Sequence, residues 1–148
     1  MGHCVLTLND ATTIVDASLE KGRELGFKPL TIAVLDQGGQ LKVLKRDDEC
    51  SLLRPEIAIG KAWGVLGMGF GGRELARRAT AAPLFMQALY DVSNGRIVPV
   101  LGGVLIRHDG LIIGAVGISG DTAENDEACA VAGICAAGLT ADTGDPLG

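Results

Sequence analysis

The sequence predicts an α+β domain: an antiparallel sheet with helices packed on it. Three observations carry this reading. Two pairs of short apolar runs flank tight polar turns, at Gln37-Gly38-Gly39-Gln40 and at His108-Asp109-Gly110, and each pair reads as a hairpin, whose strands are antiparallel. Segments of helical period precede, separate and follow the hairpins, so the order is helix, hairpin, helices, hairpin, helix; a doubly wound parallel sheet would alternate single strands with helices. The 148 residues contain no fixed-period repeat and no linker-like stretch, so one domain spanning 1–148 is expected, its core at about 6–138.

The elements follow in chain order. Thr7 or Asn9 caps a first helix along which Ala11, Ile14, Val15, Ser18, Leu19, Gly22 and Leu25 recur on one face, and Gly26 stops it. Leu30 to Asp36 and Leu41 to Lys45 form the first hairpin. After the acidic loop Asp47-Asp48-Glu49, a helix runs from Ser51 or Leu52 to Leu66, with Pro55 in its first turn and Gly67 as its stop. Gly60, Gly64 and Gly67 line one stripe of it. Each costs roughly 1 kcal/mol relative to alanine, so the repetition predicts close packing against another helix or backbone, within the chain or across a subunit contact. Short helices over Arg73 to Arg78 and Pro83 to Val92 come next. Val104 to Arg107 and Leu111 to Ser119 form the second hairpin, and a last helix runs from about Glu124 to Ala137 with Gly138 as its stop. Thr140 to Gly148, polar and containing Pro and Gly, is expected to be a loose tail.

Composition narrows the function classes. A hydrophobic content of 47% against 21% charged residues excludes disorder. Aromatics at 3% leave the core to Ala, Val, Leu and Ile. The net charge of −5 opposes sequence-independent nucleic-acid binding. No apolar run reaches membrane-span length, and Met1-Gly2-His3-Cys4 shows no secretory leader. The expected location is therefore cytoplasmic, with no membrane partner. Cys4, Cys50, Cys129 and Cys135 lack CxxC spacing and are expected as free thiols.

Several side chains can carry chemistry. Arg54 and Lys61, seven positions apart, share one face of the second helix and make a clamp for a carboxylate; alternatively both pair with Asp47, Asp48 or Glu56, or face water. If buried beside Arg54, Lys61 has a lowered pKa and can act as a base or nucleophile. Gly102-Gly103 offers backbone N–H groups for an anion or oxyanion, or is simply a bulge or turn. Gly120-Asp121-Thr122 with Asp126-Glu127 caps the last helix through its dipole, or Asp126 and Glu127 serve as general acid or base. His108 is a candidate metal ligand at a hairpin tip, where exposure is the usual outcome. Asp47 and Asp48 are candidates for a weak divalent-ion site or are solvated. Trp63 and Phe70 suit the core, an interface or a flat aromatic ligand.

Three stretches, taken together and in order, resemble the GlcG/HbpS family, which also occurs as the PduO C-terminal domain. They are Leu6-Thr7-Leu8 with Val34-Leu35-Asp36-Gln37-Gly38-Gly39; Arg46-Asp47-Asp48 with Ile57-Ala58 and Lys61-Ala62; and Gly102-Gly103-Val104 with Asp109-Gly110, the Gly114 to Gly120 run and Asp126-Glu127. The resemblance implies a profilin-like or PAS-like sheet flanked by helices, assembly from dimer to octamer, a pocket near subunit contacts, and members that bind heme, degrade heme or bind iron. Heme is the cofactor it implies, and Arg46 joins the ligand-binding set through it. This sequence departs from the family's pattern in three ways. Arg54 stands where serine is usual, Leu101 and Leu105 replace flanking prolines, and the first helix has no histidine of the kind some relatives use as an axial ligand. Iron ligation would then fall to His108, Met68, Cys50 or a hydroxyl.

Two main functions follow. One is a small-ligand-binding protein of the heme-binding or heme-degrading type, with a cationic pocket for a carboxylate-bearing ligand. The other is a cofactor-independent isomerase, lyase or hydrolase that moves a proton on a small carboxylic acid. There Arg54 would anchor the acid, Lys61, Asp126 or Glu127 would move the proton, and Gly102 and Gly103 would stabilise the oxyanion. A non-catalytic assembly or sensory subunit is a third reading, in which the glycine stripe serves oligomer contacts.

Overall fold

The computed structural model describes residues 5–145; Met1 to Cys4, with the free thiol expected at Cys4, and the end of the expected tail at 146–148 lie outside the described residues. The elements are α1 (Leu8–Glu24), β1 (Thr31–Asp36), β2 (Leu41–Arg46), α2 (Arg54–Met68), α3 (Gly72–Ala81), α4 (Pro83–Val92), β3 (Gly103–His108), β4 (Leu111–Ser119), α5 (Ala123–Ala136) and β5 (Thr140–Asp142). The strands form one sheet in the order β2-β1-β4-β3-β5, and every neighbouring pair is antiparallel. The expected α+β class therefore holds.

Period-2 alternation assigns the two faces. Ile32 and Val34 of β1, Val104 and Ile106 of β3, and Val116 and Ile118 of β4 join Ile14 and Val15 of α1 and Ile134 of α5 in one core. Leu35, Leu105 and Ala115, on the opposite face, meet Ala62 and Val65 of α2 in a second core. The α2 face of the sheet is lined with small residues, and this lets the helix lie close. A Cβ on Gly117 would overlap the Ala58 carbonyl oxygen, and one on Gly103 would lie 2.5 Å from the Lys61 carbonyl oxygen.

The caps follow local chemistry. Thr7 is the α1 cap, its Oγ1 accepting from Asp10 N at 3.0 Å. The buried α1 stripe is Ala11, Ile14, Val15, Ser18, Leu19 and Gly22; Leu25 falls on the cap and is exposed. Helix α2 begins at Arg54, after a turn in which Arg54 N bonds Ser51 O, and it ends at Gly69 with φ +82, two residues beyond the expected stop at Gly67. The glycine stripe of α2 meets its own chain. Gly60 faces Val98 and the Arg96 carbonyl, and Gly64 faces Ile97 and Leu75, while Gly67 touches only Trp63.

The expected loose tail is the main departure. Thr140–Asp142 pairs with β3, Arg107 Nε bonds Asp142 Oδ2 at 2.9 Å, and Arg73 N bonds Thr143 O at 2.9 Å. Three residues, Thr140, Ala141 and Asp142, carry no alternation long enough to read as a strand, so a neighbouring edge supplies the order. Among the described residues no helix is long and apolar enough to cross a membrane.

Candidate functional site

One end of the sheet gathers most of the candidate residues. Strand register places Arg46, Thr31 and Ser119 in a single row across β2, β1 and β4. At about 4.8 Å per strand, the Cα atoms of Arg46 and Ser119 are about 10 Å apart. Helix α2 starts beside this row. Arg54 Nε donates to Ser51 Oγ at 3.1 Å and its Nη1 donates to Ser119 Oγ at 3.0 Å. Among the described residues no carboxylate pairs with it, so the expected alternatives Asp47, Asp48 and Glu56 are not its partners. Two neutral hydroxyls aim this half-buried guanidinium, and among the described residues Nη2 has no hydrogen-bond partner.

Two turns further along α2, Lys61 Nζ donates to the Ile118 carbonyl at 2.8 Å and to Asp126 Oδ2 at 3.2 Å. The ammonium and the carboxylate are 4% and 1% exposed. Asp126 Oδ1 accepts from Asp121 N at 2.9 Å. Gly102 explains how the ammonium fits: a Cβ there would lie 2.7 Å from Lys61 Nζ and 2.9 Å from Ile118 O, and its φ of +112 disfavours any other residue. The paired glycines thus make room for a cation. Burial pushes the Lys61 ammonium pKa down and the Asp126 carboxyl pKa up; each partner's charge and hydrogen bond restrains the other's shift, and Arg54 adds to the depression of Lys61.

The remaining candidates divide. Asp121 accepts from Lys28 N, Thr122 N and Asn125 Nδ2 at 2.7–2.8 Å, and these hydrogen bonds lower its pKa. Thr122 caps α5 by accepting from Asn125 N. Glu127, one residue beyond Asp126, is clamped by Arg73 through Nε and Nη2 at 2.7–3.1 Å, which ties α5 to α3. His108 pairs with Asp109 at 3.5 Å on the β3–β4 turn. It sits eight β4 residues from Ser119, about 26 Å along the strand. Met68 lies fourteen helical steps from Arg54, about 21 Å away. Asp47 is held by Arg23 at 3.0 Å, its hydrogen bond from Arg23 lowering its pKa. Among the described residues no three of His, Cys, Asp and Glu converge as a metal-ligand set. Cys50, half-buried, is at the Arg54 end, on the loop before α2.

The oily cavity expected between Arg54 and Lys61 is taken up by protein: Gly102, Ile118 and Asp126 enclose the ammonium. An apolar cavity of about 370 Å³ does border α2, but Ile57, Gly60, Trp63, Arg96 and Val98 line it, and neither cation does. Ser51, Ser119 and Arg73 were not foreseen. Ser119 had a signal, since period-2 parity puts it on the face of Gly117 and Ala115. Arg73 and Ser51 had none.

The family described as "Haem degrading protein HbpS-like" matches residues 6–135. Protein GlcG of Escherichia coli strain K12 is 35% identical over 123 residues, 78% of this chain and 81% of that protein. The corrinoid adenosyltransferase PduO of Salmonella typhimurium is 29% identical over 134 residues, 88% of this chain. The chain spans only 38% of the length of that relative. A crystal structure of the PduOC:heme complex superposes with a TM-score of 0.82 at 29% identity, covering 91% of this chain and 96% of that one. The crystal structure of HbpS superposes with a TM-score of 0.78 at 28% identity, covering 88% and 89%.

Proposed function

The chain belongs to the HbpS-like family, and from that premise we propose that it binds a carboxylate-bearing ligand of the heme type, with Arg54 as the anion anchor. The supporting observation is that Arg54 is aimed by two hydroxyls and has no acidic partner among the described residues. An arginine aimed in this way has lost part of its freedom before the ligand arrives, and a charged hydrogen bond to a carboxylate contributes about 1.5–3 kcal/mol. Arg46, in the same row, is the second cation for a ligand with two carboxylates. Lys61, seated by Gly102 and Gly103, is paired with Asp126 behind this anchor, so Arg54 and Arg46 carry the charge offered to the ligand.

These residues fit the carboxylates of heme better than its iron. His108 and Met68 lie far along the fold, and among the described residues Cys50 and the Ser51 and Ser119 hydroxyls are the iron candidates at this end. Bound heme supplies redox chemistry at its iron; the chain's own residues hold the carboxylates. The test is to titrate the protein with hemin and, separately, with iron-free protoporphyrin. Both are expected to saturate with affinities within a few-fold, and Arg54→Ala should weaken both by about 10- to 100-fold. Saturable binding of neither, or affinities that Arg54→Ala leaves unchanged, would remove the proposal.

A second reading, proton transfer on a small carboxylic acid, is favoured by the buried Lys61–Asp126 pair with its opposed pKa shifts. Lys61 would take the proton and Asp126 would position Lys61, while Glu127 stays engaged by Arg73. Deuterium exchange at the carbon next to the carboxylate, seen by NMR and lost in Lys61→Met, is its expected signature. Self-association, which the family resemblance implies, belongs to the proposal too, as does a cytoplasmic location.

A further inference from the structure

We propose that the apolar cavity between α2 and the segment after α4 is a second ligand site, for a planar aromatic monocarboxylate, with Trp63 as its floor and Arg96 as its cation. The cavity lies across α2 from Arg54 and Lys61. Its volume of about 370 Å³ is at the lower end of the range for small-molecule sites and suits one or two rings, not a tetrapyrrole.

The site is built by the backbone. Helix α4 and its cap Ser93 are followed by two consecutive left-handed residues, Asn94 (φ +56) and Gly95 (φ +75), with Gly95 N bonded to Tyr90 O at 2.6 Å. This reversal brings residues 96–98 back against α2, where Val98 N bonds Gly60 O at 3.4 Å. A Cβ on Gly60 would meet Val98 Cγ2 at 2.5 Å and Arg96 O at 2.8 Å, so any larger residue would push the wall away. The indole of Trp63 is seated against Gly39 of the β1–β2 turn and against Gly67. The floor therefore exists before a ligand arrives.

Charge selects the ligand. The Arg96 guanidinium lies 3.9 Å from the centroid of the Trp63 ring, and among the described residues no carboxylate or carbonyl engages its N–H groups. A guanidinium stacked on an aromatic ring keeps its donors for a carboxylate. Ile57, Ile59 and Val98 cover the aromatic faces of the ligand, and Glu56 at the rim repels a second negative charge. A monoanion fits and a dicarboxylate does not, which separates this site from the one at Arg54.

Trp63 is the one tryptophan in the sequence, so its emission reports on this cavity alone. The experiment titrates the whole chain with 4-fluorocinnamate, followed by Trp63 emission and by fluorine NMR line width. Saturable change in both signals is expected. The neutral amide analogue and 4-carboxycinnamate should each bind at least about tenfold more weakly, the size of one charge-assisted hydrogen bond. Arg96 is exposed, so Arg96→Ala should fold, as circular dichroism checks, and lose binding by a similar factor, while Arg54→Ala binds normally. No saturation, equal binding of acid and amide, or unchanged affinity in Arg96→Ala would overturn the assignment.

Discussion

Lys61 and Asp126 show how much a single position decides. Two opposite charges are buried together, and removing one strands the other. Lys61→Met is expected to cost about 3–5 kcal/mol in urea unfolding, whereas Lys61→Met with Asp126→Leu should recover most of the loss. The pH dependence has a definite sign. The folded Asp126 pKa lies above the 3.8 of the free group, so the folded state binds that proton more tightly. Its contribution to stability therefore grows as pH falls through the folded value towards 3.8. Lys61 is lowered from 10.5, so its contribution rises as pH climbs from the folded value to 10.5, and Lys61→Met should lack that alkaline gain. Asp121 is lowered; its contribution is complete above 3.8 and lost as pH falls through its folded value. Asp121→Asn should therefore be less stable than wild type at neutral pH, and the gap should close in acid. Urea midpoints measured from acid to alkaline pH check all three. Asp126 and Glu127 also mark the limit of sequence reading at this scale. Both were candidates for one role, yet a helical step of about 100° turns them to different partners, Lys61 and Arg73. Composition and spacing carry no record of that choice.

At the scale of elements, periodicity was a good guide and partners were not. The α1 stripe, both hairpins and α4 are legible because apolar residues recur at the helical or strand period. The glycine stripe on α2 announces a close contact, but its partner comes from the reversal at Asn94 and Gly95 thirty residues on. The short β5 was not legible at all. The contact of α2 with β4 is the most sensitive joint in the fold. Gly117→Ala would force the new methyl into the Ala58 carbonyl, so α2 must lift from the sheet. The expected loss is about 1–3 kcal/mol, the range for overpacking a tight contact, read as a lower urea midpoint with an unchanged m value. A midpoint equal to wild type would mean that α2 rides higher on the sheet than described.

The whole molecule leaves one helix poorly covered. Helix α4 exposes Leu84 at 80%, Phe85 at 54% and Val92 at 80%, more apolar surface than a short helix of a monomer normally leaves in water. The self-association proposed above is therefore expected to use α4. Leu84→Glu with Phe85→Glu should shift the sedimentation coefficient to that of a single chain with an unchanged circular dichroism spectrum. Association that persists would move the contact to another face. The family resemblance led to the right architecture, but the lining of the cavities depends on loop geometry that no motif encodes.

The two rims of the sheet differ in a way that bears on the company this protein keeps. One rim is β5, three residues long; the other is β2, which carries Lys42, Lys45 and Arg46. A stub on one side and a palisade of positive charge on the other give a foreign strand no long unguarded rail to zip onto. Fibril-like stacking and peptide capture by strand addition are thus poor routes for this fold, and recognition is left to side chains.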